Sequence, residues 1–300
     1  MAGVPNTAAP VRPIVSERLA TSEMTTSRSH SRPSVLITGA SSGIGLATAH
    51  RLLDRGWRVF AAARRLEAME SLRCRGAEVF PLDLADQASC RQLADAVSGQ
   101  VGALDALVNN AGYGETGPVE TMPIERARAM FEVNVFGLIG LTQMLLPPMR
   151  ERRRGRIVNL SSIAGRFVTP GAGWYGASKH ALEGISDALR LELHRFGVQV
   201  VLVEPGLIRT GFEAVSEASL QQQSTDPVWG PMMRRVAASW AEGFRRGSSP
   251  ELVASTIVSA LETSSPKPRY RCGSEAEALV LQRFIPTQLW DALVRQRMIG

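Results

Sequence analysis

A chain of 300 residues has room for a sizeable core in one large domain or two small ones, and its balance of 44% hydrophobic to 21% charged residues is that of an ordinary globular protein. Three distant cysteines (Cys74, Cys90, Cys272) and four histidines without ligand spacing exclude a disulfide framework, predict no metal site and fit a reducing, cytoplasmic setting. The net charge of +6 does not point to nucleic acid, because the only basic run, Arg150 to Arg156, has no aromatic residues between its arginines for base stacking.

Residues 1–33 are rich in Ser, Thr, Ala and Pro without apolar periodicity, which predicts a disordered tail. The tail lacks the continuous apolar stretch of a secretory signal. From Ser34 short apolar runs recur at 35–38, 57–63, 77–82, 103–109, 155–160 and 198–205. Helical stretches such as Gly43–Arg55 and Trp174–Phe196 separate them. Alternation of this kind predicts an α/β fold with a doubly wound parallel sheet, and runs apolar throughout suit strands covered on both faces. The segment "GLIGLTQMLLPPM" is too short to span a bilayer and is interrupted by Pro147 and Pro148. After Gly206 the regularity fails, so residues 207–248 are expected to be an irregular substrate-lid insertion. A last strand candidate at 268–273 ends the domain at 34–273. Residues 274–300 are an amphipathic helical segment with Trp290, which could lie on an anionic membrane surface; packing on the parent domain or a second subunit is the favoured expectation.

The first strand runs straight into "TGASSGIG", Thr38 to Gly45, and then a helix. Glycines there permit a tight turn and close backbone approach, and the helix N-terminus offers free N–H groups to a pyrophosphate. Thr38, Gly39, Ser41, Ser42, Gly43, Ile44 and Gly45 are therefore candidate dinucleotide contacts. An NAD site carries an acid about 20 residues further on. Here the second strand ends in Ala63-Arg64-Arg65, and a guanidinium suits a 2′-phosphate, so NADP(H) is expected, with Arg64 as its contact and NAD(H) as the alternative. Ser42, where many NADP-dependent proteins carry a basic residue, weighs on the other side.

Tyr175 and Lys179 stand four apart in a helical stretch of a chain with 32 arginines and two lysines. A phenol is a poor base at neutral pH, and an ammonium beside it favours the phenolate, where a broad guanidinium would not fit. With "NNAG" (109–112), "NLSS" (159–162), "YGASK" (175–179) and "PGLIRT" (205–210), the order and spacing resemble the short-chain dehydrogenase/reductase family over Ser34 to Thr210, and more loosely the bacterial members near 17β-hydroxysteroid and retinol dehydrogenases. The resemblance implies a Rossmann-type fold, a homodimer or homotetramer, and hydride exchange between a nicotinamide cofactor and an alcohol or ketone.

By the same resemblance Tyr175 is the acid/base, Lys179 its partner, Ser162 the holder of the substrate oxygen and Asn134 the residue that positions a water and the lysine. Asp83 and Leu84 match the adenine-contacting pair, Asn110, Ala111 and Gly112 the cofactor cleft, and Pro205, Gly206 and Thr210 the segment closing over nicotinamide. Phe167, Val168, Trp174, Phe212, Val228, Trp229, Met232 and Met233 suggest an apolar substrate pocket. The complete set Asn134, Ser162, Tyr175 and Lys179 argues against a catalytically inactive binding protein, and the short insertion against an epimerase or dehydratase.

Overall fold

The structure, a computed structural model, describes residues 32–274, Ala276 and 284–299. The expected tail falls almost wholly outside the described residues. Seven strands form one parallel sheet: β1 (Ser34–Thr38), β2 (Arg58–Ala63), β3 (Glu78–Pro81), β4 (Ala106–Asn109), β5 (Gly155–Leu160), β6 (Val198–Pro205) and β7 (Arg269–Cys272). Their order is β3-β2-β1-β4-β5-β6-β7, as expected for a Rossmann-type sheet. The chain winds outward from β1 to β3 and returns on the other side at β4, so a crevice opens where β1 and β4 end.

Alternate residues of each strand feed two cores. Val35 and Ile37 of β1 face one side, where Leu52 of α1 (Gly43–Asp54) and Val253 and Ile257 of α9 (Pro250–Glu262) cover them. Leu36, Phe60 and Ile157 face the other side, with Leu93 of α3 (Gln87–Val101), Leu141 and Met149 of α5 (Leu138–Glu151) and Leu182 of α6 (Gly173–Leu193). A short α2 (Glu70–Cys74) follows β2. Coverage on both faces explains why the strands read as unbroken apolar runs.

Two expectations need correction. Pro147 and Pro148 do not break their segment: α4 (Ile124–Phe131) passes through a π-helical turn, Glu132–Gly137, into α5, which contains both prolines in its final turns. Among the described residues this 28-residue helix, Ile124–Glu151, is long and apolar enough to cross a membrane by composition, but Met130, Leu138, Leu141, Leu145 and Met149 are buried in the fold, as in a core helix. Residues 207–248 are likewise not irregular. They form α7 (Phe212–Gln223) and α8 (Gly230–Arg245), joined by a turn in which Asp226 Oδ1 accepts from Val228 N at 2.8 Å and Trp229 N at 2.7 Å. Ile208 and Ser248 form a bridge where this excursion leaves and rejoins the sheet. Beyond β7, α10 (Thr287–Val294) continues into a π-helical turn, Arg295–Ile299. It turns Trp290 onto Phe167, while Phe284, Leu289 and Leu293 are exposed.

Candidate active site

The glycine loop is shaped by two contacts that no side chain could survive. Gly39 has φ +68°, and a Cβ there would sit 2.8 Å from Ala111 Cα. A Cβ on Gly45 would lie 2.4 Å from Gly39 O and 2.5 Å from Asn110 Nδ2. Thr38 and Asn110 lock the two loop ends together. Thr38 Oγ1 accepts from Asn110 N at 3.1 Å and Ala111 N at 3.0 Å, and Asn110 Nδ2 donates to Thr38 O at 2.9 Å and Gly39 O at 3.1 Å. The unpaired N–H groups at the start of α1 then open onto a cavity of about 1040 Å³.

Most of the expected residues line that cavity: Gly39, Ser41, Ser42, Gly43 and Ile44 from the loop, Arg64, Asp83 and Leu84 from the ends of β2 and β3, Asn110 to Gly112 after β4, and Pro205, Gly206 and Thr210 after β6. Thr38, Gly45 and Asn134 do not. They stand behind the wall, where Thr38 and Asn134 are fully buried and hold the lining segments in place.

At the β2 end both arginines are exposed to the cavity, with no acid between them and the loop. Arg65, and not the expected Arg64, reaches back to the loop: its Nη2 lies 3.4 Å from Ser41 Oγ and 3.4 Å from Ser42 Oγ. Arg64 instead acts electrostatically on Tyr113, whose phenol is pushed up by burial and Glu115 and drawn down by Arg64 and Arg126. Asp83 is partly used within its own turn, accepting from Ala85 N at 3.0 Å.

The reactive end brings Ser162, Tyr175 and Lys179 together at the cavity wall. Ser162 starts a tight turn, its Oγ accepting from Ala164 N at 3.1 Å, and its hydroxyl draws the Tyr175 pKa down. Lys179, one turn along α6, is buried; it donates to Leu160 O at 2.9 Å and stands 5.9 Å from the Tyr175 ring centre. Phe212 packs against the Tyr175 ring at 5.4 Å.

The electrostatics differ from the expectation that the ammonium dominates. Burial pushes the Tyr175 phenol up to about 12 although the Ser162 hydroxyl pulls it down, and burial lowers Lys179 to about 8 against the opposing charge of Glu183. Desolvation wins at both groups.

Asn134 sits on the π-helical turn with every polar atom engaged. Oδ1 accepts from Tyr113 N at 3.0 Å, and Nδ2 donates to Tyr113 O at 2.8 Å and Ser178 Oγ at 3.1 Å. Ser178 passes the link on, donating to Tyr175 O at 2.7 Å. Ser178 was missed in the sequence, where a serine between Tyr175 and Lys179 carries no signal of its own.

The apolar end of the cavity is only partly the expected one. Phe167 and Phe212 line it. Trp174 instead packs edge-on against Phe131 at 6.4 Å, Val228 is 73% exposed, Trp229 donates Nε1 to Glu120 Oε2 at 2.8 Å, and Met232 and Met233 join the small core between α7 and α8. Val168 is directed at Gly176. In their place stand Trp240 and Phe244 of α8 and Trp290, Leu293 and Val294 of α10.

Comparison with known proteins agrees with this architecture. The family model described as short chain dehydrogenase matches residues 33–221. A probable short-chain type dehydrogenase/reductase, VdlC, of Helicobacter pylori is 36% identical over 266 residues, covering 88% of this chain and 97% of that one. The solved structure of a short-chain dehydrogenase from Streptomyces avermitilis superposes with a TM-score of 0.74 at 31% identity, over 89% of this chain and 98% of that one. A variant of actinorhodin polyketide ketoreductase, solved with NADPH, superposes with a TM-score of 0.68 at 31% identity, over 80% and 95%. The chain belongs to the short-chain dehydrogenase/reductase family and is an NAD(P)-dependent oxidoreductase.

Proposed function

We propose that this oxidoreductase uses NADP(H) and reduces a small apolar ketone, or oxidises the matching secondary alcohol, with Tyr175 as its proton donor. The observation that carries the reading is the meeting of Ser162, Tyr175 and Lys179 on one wall of a cavity that begins at Arg64 and Arg65. The residues fit the cofactor: Gly39 and Gly45 let the loop close tightly on Asn110 and Ala111, which shapes the cradle at the start of α1, and two arginines stand where an acid would select a free ribose hydroxyl. When bound, NADPH supplies the hydride. Arg65 with Ser41 and Ser42 would hold its 2′-phosphate, alongside Arg64. Solved relatives carry either cofactor, NADPH in the ketoreductase and NAD in a Burkholderia phymatum short-chain dehydrogenase/reductase, so the preference rests on the arginines.

The protein's own part is proton supply and orientation. With its pKa raised to about 12, Tyr175 holds its proton at neutral pH, the state needed to hand Oη–H to a carbonyl oxygen. Ser162 Oγ donates to that oxygen as negative charge develops on it. Lys179 places an ammonium beside the phenol and compensates the charge that proton loss leaves there. Phe167, Phe212, Trp240, Phe244 and Trp290 exclude water and favour an apolar ketone, whose remainder would run between α8 and α10.

A panel of ketones followed by NADPH absorbance tests the reading. Turnover of apolar ketones with NADPH above NADH is expected. Binding of NADPH without turnover of any carbonyl or alcohol would refute the catalytic assignment.

A further inference from the structure

Glu183 lies one turn beyond Lys179 on α6, so Tyr175, Lys179 and Glu183 follow one another at spacings of four on one helix face. Glu183 is 4% exposed and takes no part in the proton transfer proposed above. A carboxylate so placed is costly unless opposite charge answers it. Arg269 of β7 does: its Nε donates to Oε2 at 3.0 Å, while its Nη2 donates to Asp187 Oδ2 at 2.7 Å. Arg166, at the end of the turn that Ser162 begins, brings Nη1 to 3.5 Å from Oε2.

Glu204, fully buried, shares these arginines, with Arg269 Nε at 3.1 Å and Arg166 Nε at 3.9 Å, and accepts from Arg271 Nε at 3.2 Å. Four arginines (166, 190, 269, 271) thus face three acids (183, 187, 204), Arg190 through Asp187 alone. It joins the segments of the reactive end, because Glu204 precedes Pro205, Arg166 closes the Ser162 turn and Glu183 follows Lys179. Ser161 Oγ faces Glu183, though neither Oγ nor Oε1 finds a well-aligned hydrogen bond.

We propose that Glu183 is a positioning residue for Lys179: clamped from β7 and from the turn after Ser162, its carboxylate is the counter-charge that holds the lysine as an ammonium beside Tyr175. The role rests on the Tyr175–Lys179 chemistry proposed above. The titratable groups facing Lys179 are Tyr175 and Glu183, both on its own helix; Asn134 and Ser161, from neighbouring segments, are uncharged. Glu183 itself faces Glu204 from β6, Asp187, Arg166 and Arg269. Burial, and after it the charge of Glu204, raises its pKa, against the opposing pull of the Ser161 hydroxyl and Arg269. Since Glu183 opposes the fall of Lys179 to about 8, neutralising it lets the lysine fall further.

The chain has two lysines, Lys179 and Lys267, so 15N-lysine labelling gives two side-chain signals, and Lys179 can be titrated without any activity assay. Glu183→Gln is expected to lower the Lys179 titration by about one unit while Lys267 stays still. Glu183→Asp restores most of the shift. Glu183→Gln leaves four arginines facing two acids. If it does not fold, the double variant E183Q/R269Q, which removes one charge of each sign, decides by the same shift. An unchanged Lys179 titration in a folded variant overturns the proposal. Loss of ketone turnover by the wild type would instead strike the functional reading, because the titration is made on the free protein.

Discussion

Asn134 donates its side-chain amide to Ser178 Oγ at 3.1 Å, tying the π-helical turn to the helix that presents Tyr175. The same side chain answers both backbone groups of Tyr113. Asn134→Ala therefore leaves the part-buried Tyr113 N–H and carbonyl without their partner, each worth about 1–3 kcal/mol, while Ser178 keeps its bond to Tyr175 O. A fall in thermal or denaturant stability of at least that size is expected, together with slower turnover. A variant as stable as the wild type would show that the link holds nothing.

Tyr175→Phe removes the proton donor and nothing else from the wall. Turnover is expected to fall by about two to four orders of magnitude, with NADPH affinity nearly unchanged. Titration of cofactor fluorescence and steady-state rates on the same preparation separate the two effects. Retention of a large share of wild-type turnover would remove Tyr175 from its role.

The pH dependence follows from the sign of each shift. Tyr175, raised to about 12, stays a phenol across the accessible range, while Lys179, lowered to about 8, loses its charge as pH rises through that value. The kcat/KM for the cofactor, which reports the free enzyme, should therefore fall in ketone reduction above about pH 8. A profile flat to about pH 10 would contradict the Lys179 assignment.

At the other end of the cavity, Arg65→Ala should weaken NADPH binding about tenfold, the worth of one charge-assisted contact, and leave NADH nearly untouched. Arg64→Ala measured alongside apportions the phosphate between the two. Equal losses for NADPH and NADH would mean that the arginines do not meet a 2′-phosphate.

Trp290 reaches the cavity from α10 and packs on Phe167 at 5.7 Å, edge to face. Trp290→Ala should raise KM for larger apolar ketones several-fold while sparing the smallest, since only the larger ones extend to that wall. An equal effect on all ketones would show that the tryptophan supports the fold and not the substrate.

The strands were legible because each carries its own signal: residues 155–160 and 198–205 are built around the apolar cores Ile157-Val158 and Val200–Val203 and form β5 and β6 with those bounds. The glycine loop and the placing of Tyr175 one turn before Lys179 were legible for a similar reason, each being set by spacing along one segment. What depends on the return of distant chain was not. Trp174 and Trp229 are as apolar as Trp240 and Trp290, and composition cannot say which of them will face a cavity. The helix α7 was hidden by its run of three glutamines, polar residues that are nonetheless good helix formers. The Tyr175–Lys179 pair showed its charges in the sequence but not its burial, and burial turned out to be the larger effect.

The bridge between Ile208 and Ser248 sets the two ends of the α7–α8 excursion side by side, about one strand spacing apart. Everything between them can be exchanged at a closure cost that grows only with the logarithm of its length, while Tyr175, Lys179 and the glycine loop keep their places on the sheet. A graft of another protein's α7–α8 cassette between those two residues, with Thr210 and Phe212 retained because Phe212 packs on Tyr175, should therefore shift the choice of ketone more than the rate with a small one.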